Sequence, residues 1–401
     1  RARAVPSLDL QFAESKSLID ATTGANLVTF TRASSGTYVG SDGLIKTATT
    51  DAPRFDHNPT TGESLGVLVE EQRTNQLLQS NGFDTTWTNS NSSETSASGT
   101  APDGTNTAWE LKDTLDAVAT THVIQQASIS FTSGTTYTAS VWAKAGTKPA
   151  MAITFPSAAF GATVATRFDL QSGTIVSAGA GSTNSITAFP NGWYRCVMTM
   201  TATATSAAAL VLRLAITGTT SYQGDGTGTI YLWGAQLEAG AFPTSYISTT
   251  TATVTRSADV ASDTSRGGNI RSLYAQFRSA ASGTRPIVSL DDNTANNRIE
   301  LLTSGTDPKL LVTTSGSAVA DLDAGTVVAN TTARLATRFQ ADDYAASIDG
   351  GTSQLDAAGT LPTVNRIRIG SNQAGSYLNG TIARITGWDF ALTNLPLITQ
   401  P

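Results

Sequence analysis

Cysteine occurs once in this chain of 401 residues, at Cys196, so no intrachain disulfide can staple the fold. Stability then has to come from packing or from association of subunits. Charge is scarce as well: Asp, Glu, Lys and Arg make up 14% of the residues, against roughly 25% in an average soluble protein. The net charge is −6, and no basic cluster occurs anywhere. Phosphate recognition draws on concentrated Lys and Arg, which argues against a nucleic-acid partner. Long apolar runs are missing too, since AALVLRLAI is short and interrupted by Arg213. Neither a membrane-spanning helix nor a secretory leader is read from it, and no membrane insertion is expected.

Thr, Ser, Ala, Gly and Asn cover what charge does not, and such sequence favours strands and turns over long helices. An all-β chain is expected. Its length exceeds what one core usually serves, so more than one domain is expected as well. YRCVMTM alternates, with Tyr194, Cys196, Met198 and Met200 on one face. ALVLRLAIT alternates more sharply, placing Leu210, Leu212, Leu214 and Ile216 opposite Val211, Arg213, Ala215 and Thr217. Period two with one apolar face marks a strand that covers a core on one side. Turn signals join successive strands into hairpins: GTYVGSDGLIKTA, RFDLQSGTIV, RPIVSL with NRIELL, and ARLATRF with YAASI. Three regions follow. Residues 1–75 form a β-rich joining region, 76–255 an antiparallel jelly roll, and 256–401 a second sandwich.

The stretch PRFDHNPTTGESLGVLVEEQRTN, residues 53–75, concentrates titratable groups in an otherwise bland chain. His57 could act as a base or metal ligand, but a metal needs several convergent ligands and only His122 could join it. A turn histidine bonded to Asp56 or to backbone is the simpler reading. Glu70 and Glu71 are consecutive, so a strand points them to opposite faces and they do not pair by themselves. A glycosidase needs two carboxylates across a cleft, and no motif selects two. The stretch therefore reads as joinery, and no catalytic residue, cofactor or metal is assigned. Asp291-Asp292-Asn293 and Asp342-Asp343 offer oxygen ligands suited to calcium, yet hairpin turns select the same residues.

Six tryptophans remain. Trp87, Trp109, Trp193 and Trp388 read as core. By strand parity, Trp142 in TYTASVWAKAG shares its face with Thr138, Ser140 and Lys144, and in TIYLWGAQLE Tyr231 and Trp233 sit opposite Ile230 and Leu232. Flat rings beside polar groups suit stacking on sugar, a subunit interface also enriches aromatics, and a buried second core is a third possibility. With Arg213, which also avoids the leucine face, Trp142, Tyr231 and Trp233 make a candidate carbohydrate-binding platform.

Three resemblances extend this reading. SIDGG, RIRIGSN and GSYLNGTIARITGWDFALT resemble the closing strands of concanavalin A-like, laminin-G-type sandwiches, with Gly380, Ile382 and Trp388 in the matching places. NQLLQSNGFDTTW, PDGTNTA, YTASVWAKAG, NGWYRCVMTMTAT and GTIYLWGAQLEAGAFPTSY resemble the jelly-roll carbohydrate-binding modules of glycan-degrading enzymes. The linear order of LDLQFAESKSL, TFTRASSGTYVGSDGLIKTA, the 53–75 stretch and PTSYIST…VTRSAD resembles tailed-bacteriophage and prophage virion proteins of the fibre, spike or head-decoration kind. The resemblance implies a homo-oligomer, with three subunits expected, displayed on the virion surface beside other virion proteins. Its expected partner is bacterial surface polysaccharide. A tail depolymerase and a bacterial polysaccharide-binding protein are the alternatives.

Overall fold

A computed structural model describes residues 5–279 and 283–400. Strand accounts for 50% of the chain and helix for 5%, as the period-two alternation requires. The helices among the described residues are short segments such as Phe12–Ser15 and Ser157–Phe160.

The middle region folds as a sandwich of two antiparallel sheets. One runs Thr183–Ala188, Trp193–Thr201, Thr136–Ala145, Thr229–Ala239, Trp109–Asp113, Ser92–Thr95. The other runs Thr174–Ser177, Val164–Asp169, Ala150–Phe155, Ser206–Ala215, Thr120–Phe131, Ser221–Tyr222. Cys196, Met198, Leu210, Leu212 and Leu214 meet between them, on the faces that parity assigns.

The C-terminal sandwich is not built from residues 256–401 alone. Gly380–Trp388 pairs on one side with Ser272–Ser279 and on the other with Ser64–Val69, while Leu8–Leu10 pairs with its far end. In the facing sheet Thr29–Thr31 pairs with Val260–Asp263. Residues 1–75 therefore do not make the separate joining region expected of them. The apolar faces of LDL, Phe30 and LGVLV have no core of their own, and Leu8, Leu10, Phe30, Val67 and Val69 are buried with Leu273, Ile299 and Ile385. Gly66 explains the glycine inside LGVLV. Its φ is +93°, and a Cβ there would collide with the Ile382 carbonyl, so the close approach to Gly380–Trp388 needs glycine. One piece of the segment leaves this sandwich: the hairpin of Gly36–Val39 and Ile45–Ala48 reaches across to the middle one.

Where the sandwiches meet, three arginines and two carboxylates are buried together. Arg32 Nη1 lies 3.1 Å from Asp259, Arg54 Nη1 lies 2.8 Å from Glu70, and Arg54 Nη2 bonds the other Asp259 oxygen. Arg256 Nη2 stands 3.5 Å from Glu70. None of the five residues is more than 5% exposed. Glu70 also accepts from Ser245 N at 2.8 Å and Ser245 Oγ at 2.7 Å, which ties the end of the middle sandwich to the hub. Backbone carbonyls take further donors: Arg32 reaches Ala52 and Thr49, and Arg54 reaches Thr37. Burying charge this way is tolerable only because each arginine reaches a carboxylate and the carbonyls take further donors. Removing one partner is then expensive. Glu70→Gln or Asp259→Asn is expected to cost about 3–5 kcal/mol in a denaturant titration. Removing the exposed Asp42–Lys46 pair is expected to cost under about 1 kcal/mol. Equal effects at the two places would contradict the assignment.

Candidate functional site

The four platform residues do not come together. Trp142 and Trp233 are direct cross-strand partners, and they do face away from the leucine core. That face is covered, however. Ile45 of the N-terminal hairpin, Ala101 and Ala108 of the loop before Trp109, and Phe189, Trp193 and Tyr246 close over both rings, leaving each 2% exposed. The rings pack edge to face, with Trp142 5.5 Å from Trp233, 5.7 Å from Phe189 and 5.8 Å from Tyr246. Trp233 Nε1 donates to Thr107 Oγ1 at 3.1 Å, and the Arg195 guanidinium lies 4.5 Å over the Trp142 ring. This is a second hydrophobic core. Tyr231 sits half-exposed at its rim, where burial and then the neighbouring Glu110 raise its pKa. Arg213 lies on Ser206–Ala215, in the opposite sheet. Parity gives the correct face for each ring but is blind to what crosses it; the cover comes from residues 45, 101, 108 and 246, far away in sequence.

Arg213 belongs to another surface. Strand register aligns Val123, Arg213, Ala152 and Arg167 across four neighbouring strands on the outer face of its sheet. The adjoining row is Gln125, Val211, Thr154 and Ala165, and the row on the other side contains Ala215, Ala150 and Asp169. Two strand spacings put the backbones at Arg213 and Arg167 about 9.5 Å apart. Arg213 Nε donates to Thr154 Oγ1 at 3.0 Å, which fixes its fork. Its pKa is lowered by burial, with no charge partner contributing. Among the described residues neither arginine forms a salt bridge. Asp169, the one carboxylate on these rows, accepts from Gln171 N and Ser172 N in its own turn. Two guanidinium groups thus face outward over small residues without an anion, in a chain short of positive charge.

The third site is a half-open cleft of about 180 Å³ between the sandwiches. Asp56, Leu65, Leu68 and Glu70 line one side, Phe242 and Pro243 a second, and Arg278, Asn330 and Thr381 a third. Its two carboxylates are shifted in opposite directions. For Asp56, burial outweighs the hydrogen bond from Val39 N and raises the pKa to about 6. For Glu70, burial is overcome by Arg256, Arg54 and the Ser245 donors, which hold it at about 2. Such a split is what an acid and base pair would need. Glu70 is not free for that role, because Ser245 and Arg54 occupy its oxygens. Glu71 is turned elsewhere, to Arg73 at 2.5 Å and Asn379 Nδ2 at 2.8 Å. His57 Nδ1 meets the Val39 carbonyl at 2.9 Å, and His122 Nδ1 meets that of Asn91 at 2.7 Å. At the Asp-rich turn, Asp291 bonds Arg368 at 2.7 Å and Asp292 binds Thr294 and Asn297. Among the described residues no three His, Cys, Asp or Glu side chains are grouped as a metal site.

Two outcomes follow. Trp142→Ala is expected to cost about 3–5 kcal/mol of unfolding free energy, as for a large buried aromatic; a loss below about 1 kcal/mol would mean the ring is not core. Asp56 keeps its proton to higher pH in the folded chain than in the unfolded one, where it titrates near 3.8. Its contribution to stability is therefore full below about pH 4 and declines as pH rises to about 6. The melting temperature of the wild type should fall relative to Asp56→Asn across that window, and parallel profiles would refute the assignment.

No family model and no curated protein matches the chain. Among solved structures it is similar to the CBM40 of the Ruminococcus gnavus IT-sialidase bound to α2,3-sialyllactose, at 12% identity and a TM-score of 0.29. That likeness covers 33% of this chain and 83% of the other. Domains LG4-5 of the mouse laminin α1 chain align at 10% identity and a TM-score of 0.23, over 68% and 91% of the two chains. The Trypanosoma rangeli sialidase in complex with sialic acid aligns at 12% identity and a TM-score of 0.27, over 73% and 60%. At these scores the likenesses carry no argument about the sites of this chain.

Proposed function

We propose that this chain is a virion display subunit, of the fibre or spike kind, whose middle sandwich adheres to acidic polysaccharide on the bacterial surface. The observation that carries the binding role is the outward pair Arg213 and Arg167, partly exposed and, among the described residues, without a salt bridge on the outer face of their sheet. A planar guanidinium fork matches a carboxylate in two bonds, and two forks on one sheet face suit two acidic groups of the same chain. Placement on a virion is supported by the order of the motifs. TFTRAS, PRFDH, LVEEQRTN, PTSYIS and VTRSAD each supply a member of the buried hub: Arg32, Arg54, Glu70, Ser245, and Arg256 with Asp259. Their resemblance to phage proteins therefore falls on residues that one architecture requires together. Hydrolysis is not included in this proposal: Glu70 is bound up in the hub, and among the described residues lining the cleft Asp56 has no second free carboxylate beside it. Threefold assembly is proposed because edge strands such as Gln354–Asp356, with Leu355 exposed, would otherwise stay uncovered.

Arg213→Ala and Arg167→Ala are each expected to weaken retention on a carboxylated polysaccharide by about 1.5–3 kcal/mol, measured by affinity electrophoresis. Melting temperature should barely change. Retention equal to wild type in both variants would end this reading of the face. Light scattering of the purified chain tests the trimer, and a stable monomer would count against it.

A further inference from the structure

The cleft between the sandwiches has the makings of a second site, distinct from the arginine face. Its volume of about 180 Å³ leaves room for a single ring. Two of its polar groups are unsettled. Thr381 is 4% exposed, and its Oγ1 has no hydrogen-bond partner although it lines the cleft. A buried hydroxyl left unpaired is costly, and water or a ligand usually answers it. Asp56 is a carboxylate largely withdrawn from water, with Oδ1 bonded to Val39 N at 2.7 Å. Leu65, Leu68, Phe242 and Pro243 provide apolar wall.

The chemistry narrows the occupant. A metal ion would find one uncommitted carboxylate and the guanidinium of Arg278 nearby. An anion would meet Asp56. A purely apolar guest would leave both Asp56 and Thr381 unanswered. We propose that the cleft binds one uncharged sugar ring, with its hydroxyls on Asp56 and Thr381 and its apolar face on the leucine and proline wall. Because Asp56 comes from the N-terminal segment, Pro243 from the end of the middle sandwich and Thr381 from the C-terminal one, the bound sugar would bridge all three. Occupancy would then stabilise the joint.

A panel of neutral methyl glycosides (glucoside, galactoside, rhamnoside and N-acetylglucosaminide) at millimolar concentration tests this with the whole chain, by saturation-transfer NMR and thermal melts. At least one is expected to show transfer and to raise the melting temperature. Thr381→Val should weaken that binding about tenfold, the equivalent of one hydrogen bond. The same variant should not lower the melting temperature without sugar, because the hydroxyl has no partner to lose. Asp56→Asn should weaken binding similarly while keeping an oxygen for Val39 N. Arg213→Ala should leave it unchanged, so loss of the outer face and loss of the cleft are told apart. No transfer from any glycoside overturns the proposal. So does transfer that persists in both cleft variants, or that disappears with Arg213.

Discussion

The Arg54 guanidinium, buried between Glu70 and Asp259, is the contact on which the arrangement of the two sandwiches rests. A guanidinium cannot shed its charge, so its burial obliges both carboxylates to stay in place beside it. Holding them fixes three separate pieces of chain. Asp259 begins the return into the C-terminal sandwich, Glu70 ends the strand Ser64–Val69, and Ser245 closes the middle sandwich onto Glu70. Arg32 and Arg256 join the same two carboxylates from two further segments, and carbonyls take the remaining donors. Burial of this kind is poor at adding net stability and good at excluding alternative pairings, because any other register leaves a bare charge in the interior. The hub thus specifies how the sandwiches meet.

Around the hub the N-terminal segment acts as a strap. Its strands complete both sheets of the C-terminal sandwich, and its hairpin lies over Trp142 and Trp233 of the middle one. One sheet of the middle sandwich is consequently apolar on both faces. On the other sheet Arg213 and Arg167 stay partly exposed on the outer face, whereas Trp142 and Trp233 are buried.

Local periodicity made much of the fold legible. Alternation in YRCVMTM and ALVLRLAIT assigned the leucine and methionine faces, and turn residues marked the hairpins that the sheets contain. The 53–75 stretch reads as joinery because its consecutive Glu70 and Glu71 point to opposite faces of a strand and no motif selects a catalytic pair. What periodicity does not carry is which sheet a strand joins or what lies across its second face. Arg213 and Trp142 share a parity argument and yet occupy opposite sheets, a partition set by pairings between residues distant in sequence, such as Trp142 with Arg195 and Ala152 with Arg213. Nor could single arginines in TFTRAS, PRFDH and VTRSAD be seen as one cluster, since their union appears only when three chain segments fold together.

If the hub makes the sandwiches one unit, they unfold as one. Differential scanning calorimetry of the intact chain at neutral pH measures this directly. A single transition whose calorimetric enthalpy matches its van't Hoff enthalpy is predicted, splitting into two transitions when Arg54 is replaced by Met. Two well-separated transitions in the unaltered chain would contradict the account, because the sandwiches would then be stable without the contact that is held to join them.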